Sequence, residues 1–294
     1  MITPIIKITD NIFAKFEAFN ESGSHKVRAA TFIIKNAIKQ GKIIPGKTTV
    51  IEKTGGNFGF GLIYACNEFN VDVELAVGLS FSRKKRLYLG ALGARLIGKE
   101  MLKAEKTPKE VVEYYLQNAK KLGKVYFYTD QFNNIDSLNG HLKSTGPEIS
   151  HQIMNLVNSR DLYFVSCAGT GASLMGIRQS LIENGFSVKT CLVEPFGCDS
   201  ENEKFIEHRF EGMSVGVSPP FINWSVVDRK IYVNFEEALE EQKYLARKFG
   251  HFVGNTSAAC VFASRIIERE NPNIPVLTII YDHGLWYDDL PIPE

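Results

Sequence analysis

The sequence predicts an α/β protein built as two three-layer domains with mostly parallel sheets. Three observations carry that expectation. Strand-like β-branched runs alternate with helical segments along the whole chain. A strand, a Gly-rich turn and a helix follow one another once in each half, at residues 48–69 and again at 162–184. The length, 294 residues, is more than one small core needs. Alternation of this kind implies parallel sheets covered by helices.

Element by element, residues 12–17 read as a strand. Residues 24–39 read as a helix capped by Ser24 and ended by Gly41. Residues 48–52 are a β-branched strand, followed by a Gly-rich turn and an apolar helix at 59–69. Residues 71–77 read as a strand, 82–92 as a helix and 94–97 as a short strand. Residues 108–122 form an amphipathic helix with Val112, Tyr115, Leu116 and Ala119 on one face. The second half gives a strand at 162–166, a Gly-rich turn, a helix at 173–184 and a strand at 188–193. Helices at 236–249 and 257–269 and a strand at 276–281 complete it.

Composition narrows the function. Hydrophobic residues are 44% and charged residues 23%, as in ordinary globular proteins. A net charge of +1 provides no global field for nucleic acid or membrane, and the short basic run 83–86 reads as a solvated helix face. Five scattered cysteines, none in a C-x-x-C pair, suit a reducing compartment and offer neither a disulfide framework nor a metal site. No stretch approaches the ~20 apolar residues of a membrane span, so the cytoplasm is the expected location.

Five segments carry candidate chemistry. In Ser22-Gly-Ser-His-Lys26 a lysine opens a helix, where partial positive charge lowers the pKa of an amine. A neutral amine is what condenses with an aldehyde. Thr54-Gly-Gly-Asn-Phe-Gly59 follows a strand and precedes a helix, so its N–H groups suit an anion. Ser166-Cys-Ala-Gly-Thr-Gly-Ala-Ser173 repeats that pattern, and its N–H groups with the Thr170 and Ser173 hydroxyls suit a single phosphate. It is neither a Walker loop nor a dinucleotide fingerprint. Gln131-Phe-Asn-Asn and Asn139 to Glu148 read as a site-lining loop leading into a helix. Tyr281-Asp-His-Gly284 ends the last strand, where open α/β sheets gather ligands, and His283 can meet a ring nitrogen. Each segment alone is a weak signal.

Their order and spacing resemble the cysteine synthase and cystathionine β-synthase family of fold-type II pyridoxal-phosphate enzymes, which share the tryptophan synthase β-like fold. The resemblance spans nearly the whole chain. Thr3-Pro-Ile-Ile-Lys-Ile is similar to the family's T-P-L-V-x-L, and Lys15-Phe-Glu-Ala-Phe-Asn to K-x-E-x-x-N-P. Ser24-His-Lys26 is similar to S-x-K, Thr54 to Gly59 to T-S-G-N-T-G, and Ser144-Thr-Gly-Pro-Glu148 to T-T-G-P-E. Gly169 to Ser173 matches G-T-G-G-T, Glu194-Pro195 matches V-E-P, Gly254-Asn-Thr-Ser-Ala matches G-I-S-S-G, and Asp282-His-Gly matches P-D-S-G.

The resemblance implies pyridoxal 5′-phosphate as cofactor, held as a Schiff base on Lys26, which also moves the substrate's α-proton. It implies that Asn57 bonds the phenolic oxygen and that Gly169, Thr170, Gly171, Ala172 and Ser173 hold the phosphate. Thr54, Gly55, Gly56, Phe58 and Gln131 fall to the substrate, and His283 stands where the family has a Ser or Thr facing the pyridine nitrogen. It implies a domain at 21–140 carrying the lysine and carboxylate loop, a second at 1–20 plus 141–294 carrying the phosphate cup, and a homodimer. The implied reaction is β-replacement on O-acetylserine, O-phosphoserine or a similar serine derivative, through an aminoacrylate. A β-elimination lyase acting on serine or cysteine is the alternative, as is a catalytically degenerate cofactor-binding homologue.

The pattern is not followed everywhere. Gly55 and Phe58 stand where the family has Ser and Thr, His283 replaces a hydroxyl, and Gly212-Met-Ser214 replaces G-I-G. The His25-Lys26 pair is similar to that of tryptophan synthase β chains, where the histidine lies near the phosphate.

Overall fold

The computed structural model describes residues 2–79 and 82–287. In chain order the elements are β1 Ile5–Lys7, β2 Ile12–Phe16, α1 Lys26–Lys39, β3 Thr48–Lys53, α2 Asn57–Glu68, β4 Asp72–Ala76, α3 Arg83–Ala91 and β5 Arg95–Leu96. They continue with α4 Lys99–Lys103, α5 Pro108–Gln117, β6 Val125–Tyr128, α6 Asp136–Gly140, a π-helical turn His141–Thr145 and α7 Gly146–Ile153. The rest are β7 Asp161–Cys167, α8 Ala172–Glu183, β8 Ser187–Pro195, β9 Arg229–Val233, α9 Phe235–Phe249, α10 Asn255–Glu270 and β10 Val276–Ile280.

The chain divides into two compact units, residues 26–140 and residues 1–25 with 141–294. Ser22 to His25 belong with the larger unit for a physical reason. Ser24 bridges to Asp282, and the His25 N–H donates to the Tyr281 carbonyl at 3.0 Å.

The smaller unit holds a four-stranded sheet in the order β5-β4-β3-β6, parallel throughout. One face packs on α5, where Ile51, Ala76, Ile97, Val111 and Val112 form a buried cluster. Burying each such side chain is worth about 1.5–3 kcal/mol. Helix α5 starts where Thr107 and Glu110 form a reciprocal capping box with Pro108 between them. It stops at Gln117, short of the expected 122.

The larger unit holds a six-stranded sheet in the order β1-β2-β10-β7-β8-β9. Only the edge pair β1–β2 is antiparallel among the described strands. Strands β2 and β10, neighbours inside this sheet, are buried along their whole length. The fully buried Lys15 on β2 donates to the Thr3 carbonyl at 2.6 Å, to Gln152 Oε1 at 2.8 Å and to Glu148. Thr3 Oγ1 donates to Glu17 at 2.6 Å. Thr3, Lys15, Glu17, Asn20 and Glu148, drawn from three of the motifs, therefore meet in one buried network, which gives them a structural use.

Residues 139–148 are helical and not the expected loop. They run through the end of α6, the π-helical turn and the start of α7. The wider π turn admits Pro147 at the start of α7, where a missing N–H costs little.

Candidate active site

In the smaller unit, Lys26 is the first residue of α1. Its seat is set by α2. A Cβ on Gly61 would lie 3.0 Å from the Val27 backbone and 3.1 Å from the Lys26 carbonyl carbon, so only glycine lets the two helices close here. The turn Thr54-Gly55-Gly56 leads from β3 into α2, one helical turn before Gly61. Gly56 is an extended N-cap without a side-chain cap, and a glycine-led helix start of this kind suits an anion. The Gly56 N–H donates to Thr54 Oγ1 at 3.4 Å. Asn57 opens α2, and Phe58 behind it is buried at 2% exposure.

Gln131 lies just past β6, the neighbour of β3, and is buried. Between these segments sits Glu52, fully buried at the end of β3. Its Oε2 accepts from Thr129 Oγ1 at 2.6 Å and from the Gln131 N–H at 3.3 Å, and its Oε1 accepts from the Lys53 N–H at 2.9 Å. Burial pushes this carboxyl up to about 7, against the pull of those hydrogen bonds. Glu52 belongs to none of the motifs above; its signal in the sequence is an acid in a β-branched strand, two residues before a Gly-rich turn.

In the larger unit the turn from β7 to α8 carries Gly169, Thr170 and Gly171, with Ala172 and Ser173 in the first turn of α8. Gly171 is the N-cap at φ +84°, again without a side-chain cap. A Cβ there would approach Ile222 Cγ1 to 2.7 Å, and one on Gly169 would approach the Gly212 oxygen to 2.6 Å. Segment 212–222 holds the turn through its carbonyls. The Ser214 N–H donates to the Ala168 oxygen and the Phe221 N–H to the Thr170 oxygen, each at 3.1 Å. Neither bond uses an N–H of the turn. The Ala172 N–H donates to Thr170 Oγ1 at 3.3 Å, and a close-fitting glycine turn of this kind at a helix start suits a phosphate group.

Tyr281 ties this turn to the residue before the lysine. Its phenol bonds Ser166 Oγ at 2.7 Å and accepts from the Cys167 N–H at 3.1 Å, while its carbonyl takes the His25 N–H. Burial holds that phenol neutral, well above the usual tyrosine range. The His25 ring stands edge-on to Tyr281 at 4.9 Å and stacks on His141 at 5.8 Å. His283 Nδ1 accepts from the Leu285 N–H at 3.2 Å, which leaves Nε2 to carry the ring proton. Burial lowers the pKa of His283, which favours that neutral form.

In the smaller unit a lysine opens a helix packed on the helix that follows a Gly-rich turn, and in the larger unit a second Gly-rich turn suits a phosphate. The comparisons agree. The family described as pyridoxal-phosphate dependent enzyme matches residues 2–282. Cysteine synthase B of Campylobacter jejuni is 34% identical over 97% of this chain and 93% of its own length. The solved O-acetylserine dependent cystathionine β-synthase of Helicobacter pylori superposes with a TM-score of 0.85 at 28% identity, covering 99% of this chain and 95% of that one. A hydrogen sulfide-producing enzyme from Fusobacterium nucleatum superposes equally well, TM-score 0.85, at 27% identity over 97% and 94%. The chain belongs to the pyridoxal-phosphate dependent enzymes, in the fold-type II branch of the cysteine synthases and cystathionine β-synthases. Among the described residues no helix is long and apolar enough to cross a membrane, and no cluster of side chains is suited to a metal ion.

Proposed function

We propose that this enzyme performs β-replacement on a serine-derived amino acid such as O-acetylserine, making cysteine or another β-substituted alanine. The observation that carries the reading is the glycine-dependent approach of α1 to α2, which seats the Lys26 backbone one turn from the uncapped 54–56 turn.

When bound, pyridoxal phosphate supplies the electron sink that stabilises negative charge at the substrate's α-carbon. Lys26 is the residue that would hold the cofactor through its aldehyde, and its amine would serve as the base for the substrate's α-proton. The N–H groups of Gly55, Gly56 and Asn57, with Thr54 Oγ1 and Gln131, orient the substrate carboxylate, and Phe58 fills volume behind them. Gly169, Thr170, Gly171, Ala172 and Ser173 would hold the phosphate, and Asn57 Nδ2 would serve the phenolic oxygen. His283 would offer Nε2–H to the ring nitrogen, an environment that would favour loss and replacement of the β-group over transamination. The enzyme works in the cytoplasm as a homodimer. The five buried free thiols support a reducing compartment.

Likeness to the hydrogen sulfide-producing enzyme supports a second reading, elimination from cysteine or serine. Serine, O-acetylserine, O-phosphoserine and cysteine incubated with and without sulfide separate the two. A β-substituted amino acid formed from O-acetylserine only with the nucleophile supports replacement. Pyruvate and ammonia as the main products with sulfide present would sink it.

A further inference from the structure

Glu52 joins two segments of the smaller unit that the reading above gives to the substrate carboxylate. Through Lys53 it abuts the 54–56 turn, and through Thr129 Oγ1 and the Gln131 N–H it holds the segment after β6. The partners its oxygens meet there are N–H and O–H donors. The charged and titratable groups around it do not neutralise an anion. Asp130 raises its pKa further, and the Tyr128 phenol on β6 is itself held neutral by burial and by Glu52. Glu113 on α5 acts in the same direction on Tyr128, and Lys53 Nζ lies 6.0 Å over the Phe132 ring. A bound carboxylate on the neighbouring amides adds one more negative charge, and a like charge favours the neutral acid.

We propose that Glu52 is a positioning residue for the anion-binding turn, and that it takes up one proton from solvent when an amino-acid carboxylate binds there. The inference rests on the assignment of the 54–58 turn to the substrate carboxylate. In the neutral state Glu52 keeps its acceptor for the Gln131 N–H, and the Thr129 hydroxyl rotates to accept the new O–H. No bond other than O–H forms.

L-Alanine carries the amine and the carboxylate with no group to lose, so its affinity reports binding alone. Its affinity for the cofactor-loaded enzyme, read from the cofactor's absorbance between pH 6 and 8.5, is compared with that for Glu52→Gln, which mimics the neutral acid. The titration of alanine itself cancels in the ratio. The wild type is expected to weaken relative to the variant by roughly tenfold per pH unit above 7. A ratio flat with pH overturns the proposal and leaves the amino-acid site intact. Absence of any alanine-dependent spectral change in the wild type overturns both. A further measurement needs no substitution: a protonated-carboxyl stretching band gained by the wild type on adding L-alanine at pH 8. Its absence overturns the proposal even where Glu52→Gln does not fold.

Discussion

At the residue scale, the chain sets a lysine at the start of a helix and an acid inside a buried strand. Lys26 opens a helix without an acidic residue in the first turn. Lys26→Ala is expected to remove the visible absorbance of the loaded enzyme and to slow turnover by roughly 10²–10⁴-fold, the usual share of a positioned acid–base group. Weak cofactor binding should survive through the phosphate turn, and equilibrium dialysis measures it. Glu52 yields a stability prediction with a definite sign. Its pKa rises on folding from an ordinary glutamate value of 4.5 to about 7, so the folded state holds the proton more tightly. That stabilisation is full below 4.5 and is lost as pH rises through 7, at most about 3 kcal/mol in all. Urea denaturation of Glu52→Gln between pH 5 and 8 should lack this downward slope. Phe58, buried at 2% exposure, is a packing residue whatever it also does for the substrate. Phe58→Thr is expected to cost about 3 kcal/mol through the cavity it leaves, read as a lower denaturation midpoint.

At the element scale, strand-to-helix turns do the positioning. Gly61→Ala inserts a methyl 3.0 Å from the Val27 backbone and should destabilise the protein by about 1–3 kcal/mol. Because the displaced residues include Lys26, cofactor occupancy should fall with it, measured as the ratio of visible to protein absorbance. Strands β3, β4, β7, β8 and β10 are legible because β-branched and apolar residues dominate these largely buried parallel strands. Strand β6, Val-Tyr-Phe-Tyr, and strand β9, Arg-Lys-Ile-Tyr-Val, were not read, because their residues are only partly buried or mixed with charges. The helical course of 139–148 was hidden by Gly140, Gly146 and Pro147, which signal a loop until the packing is known. The motif residues Lys26, 54–58 and 169–173 were legible as patterns, whereas the roles of Gly61 and Glu52 depend on neighbours far away in sequence.

At the scale of the whole molecule, burial governs what reagents can reach. Cys66, Cys167, Cys191, Cys198 and Cys260 are all buried free thiols, and burial raises Cys66 and pushes Cys191 up to about 12. A thiol reagent at pH 8 is expected to label none of the five quickly in the native protein and all five in guanidinium, with native labelling limited by unfolding. The buried Lys15–Glu148 pair works on the same scale, fastening β2 to α7. Glu148→Ala removes a carboxylate from the buried Lys15 ammonium and should cost roughly 3–5 kcal/mol, read as a lower urea midpoint.

The smaller unit is one uninterrupted stretch, while the larger is written in two pieces, and strand β2 finds its parallel neighbour only in β10 at the far end of the chain. Synthesis on the ribosome therefore finishes residues 26–140 long before the six-stranded sheet can close. A nascent chain arrested near residue 200 should yield a protease-resistant fragment spanning 26–140, with β2 still digestible. Release of β10 is the event that locks β2 in, so the order of translation sets which half of the enzyme exists first.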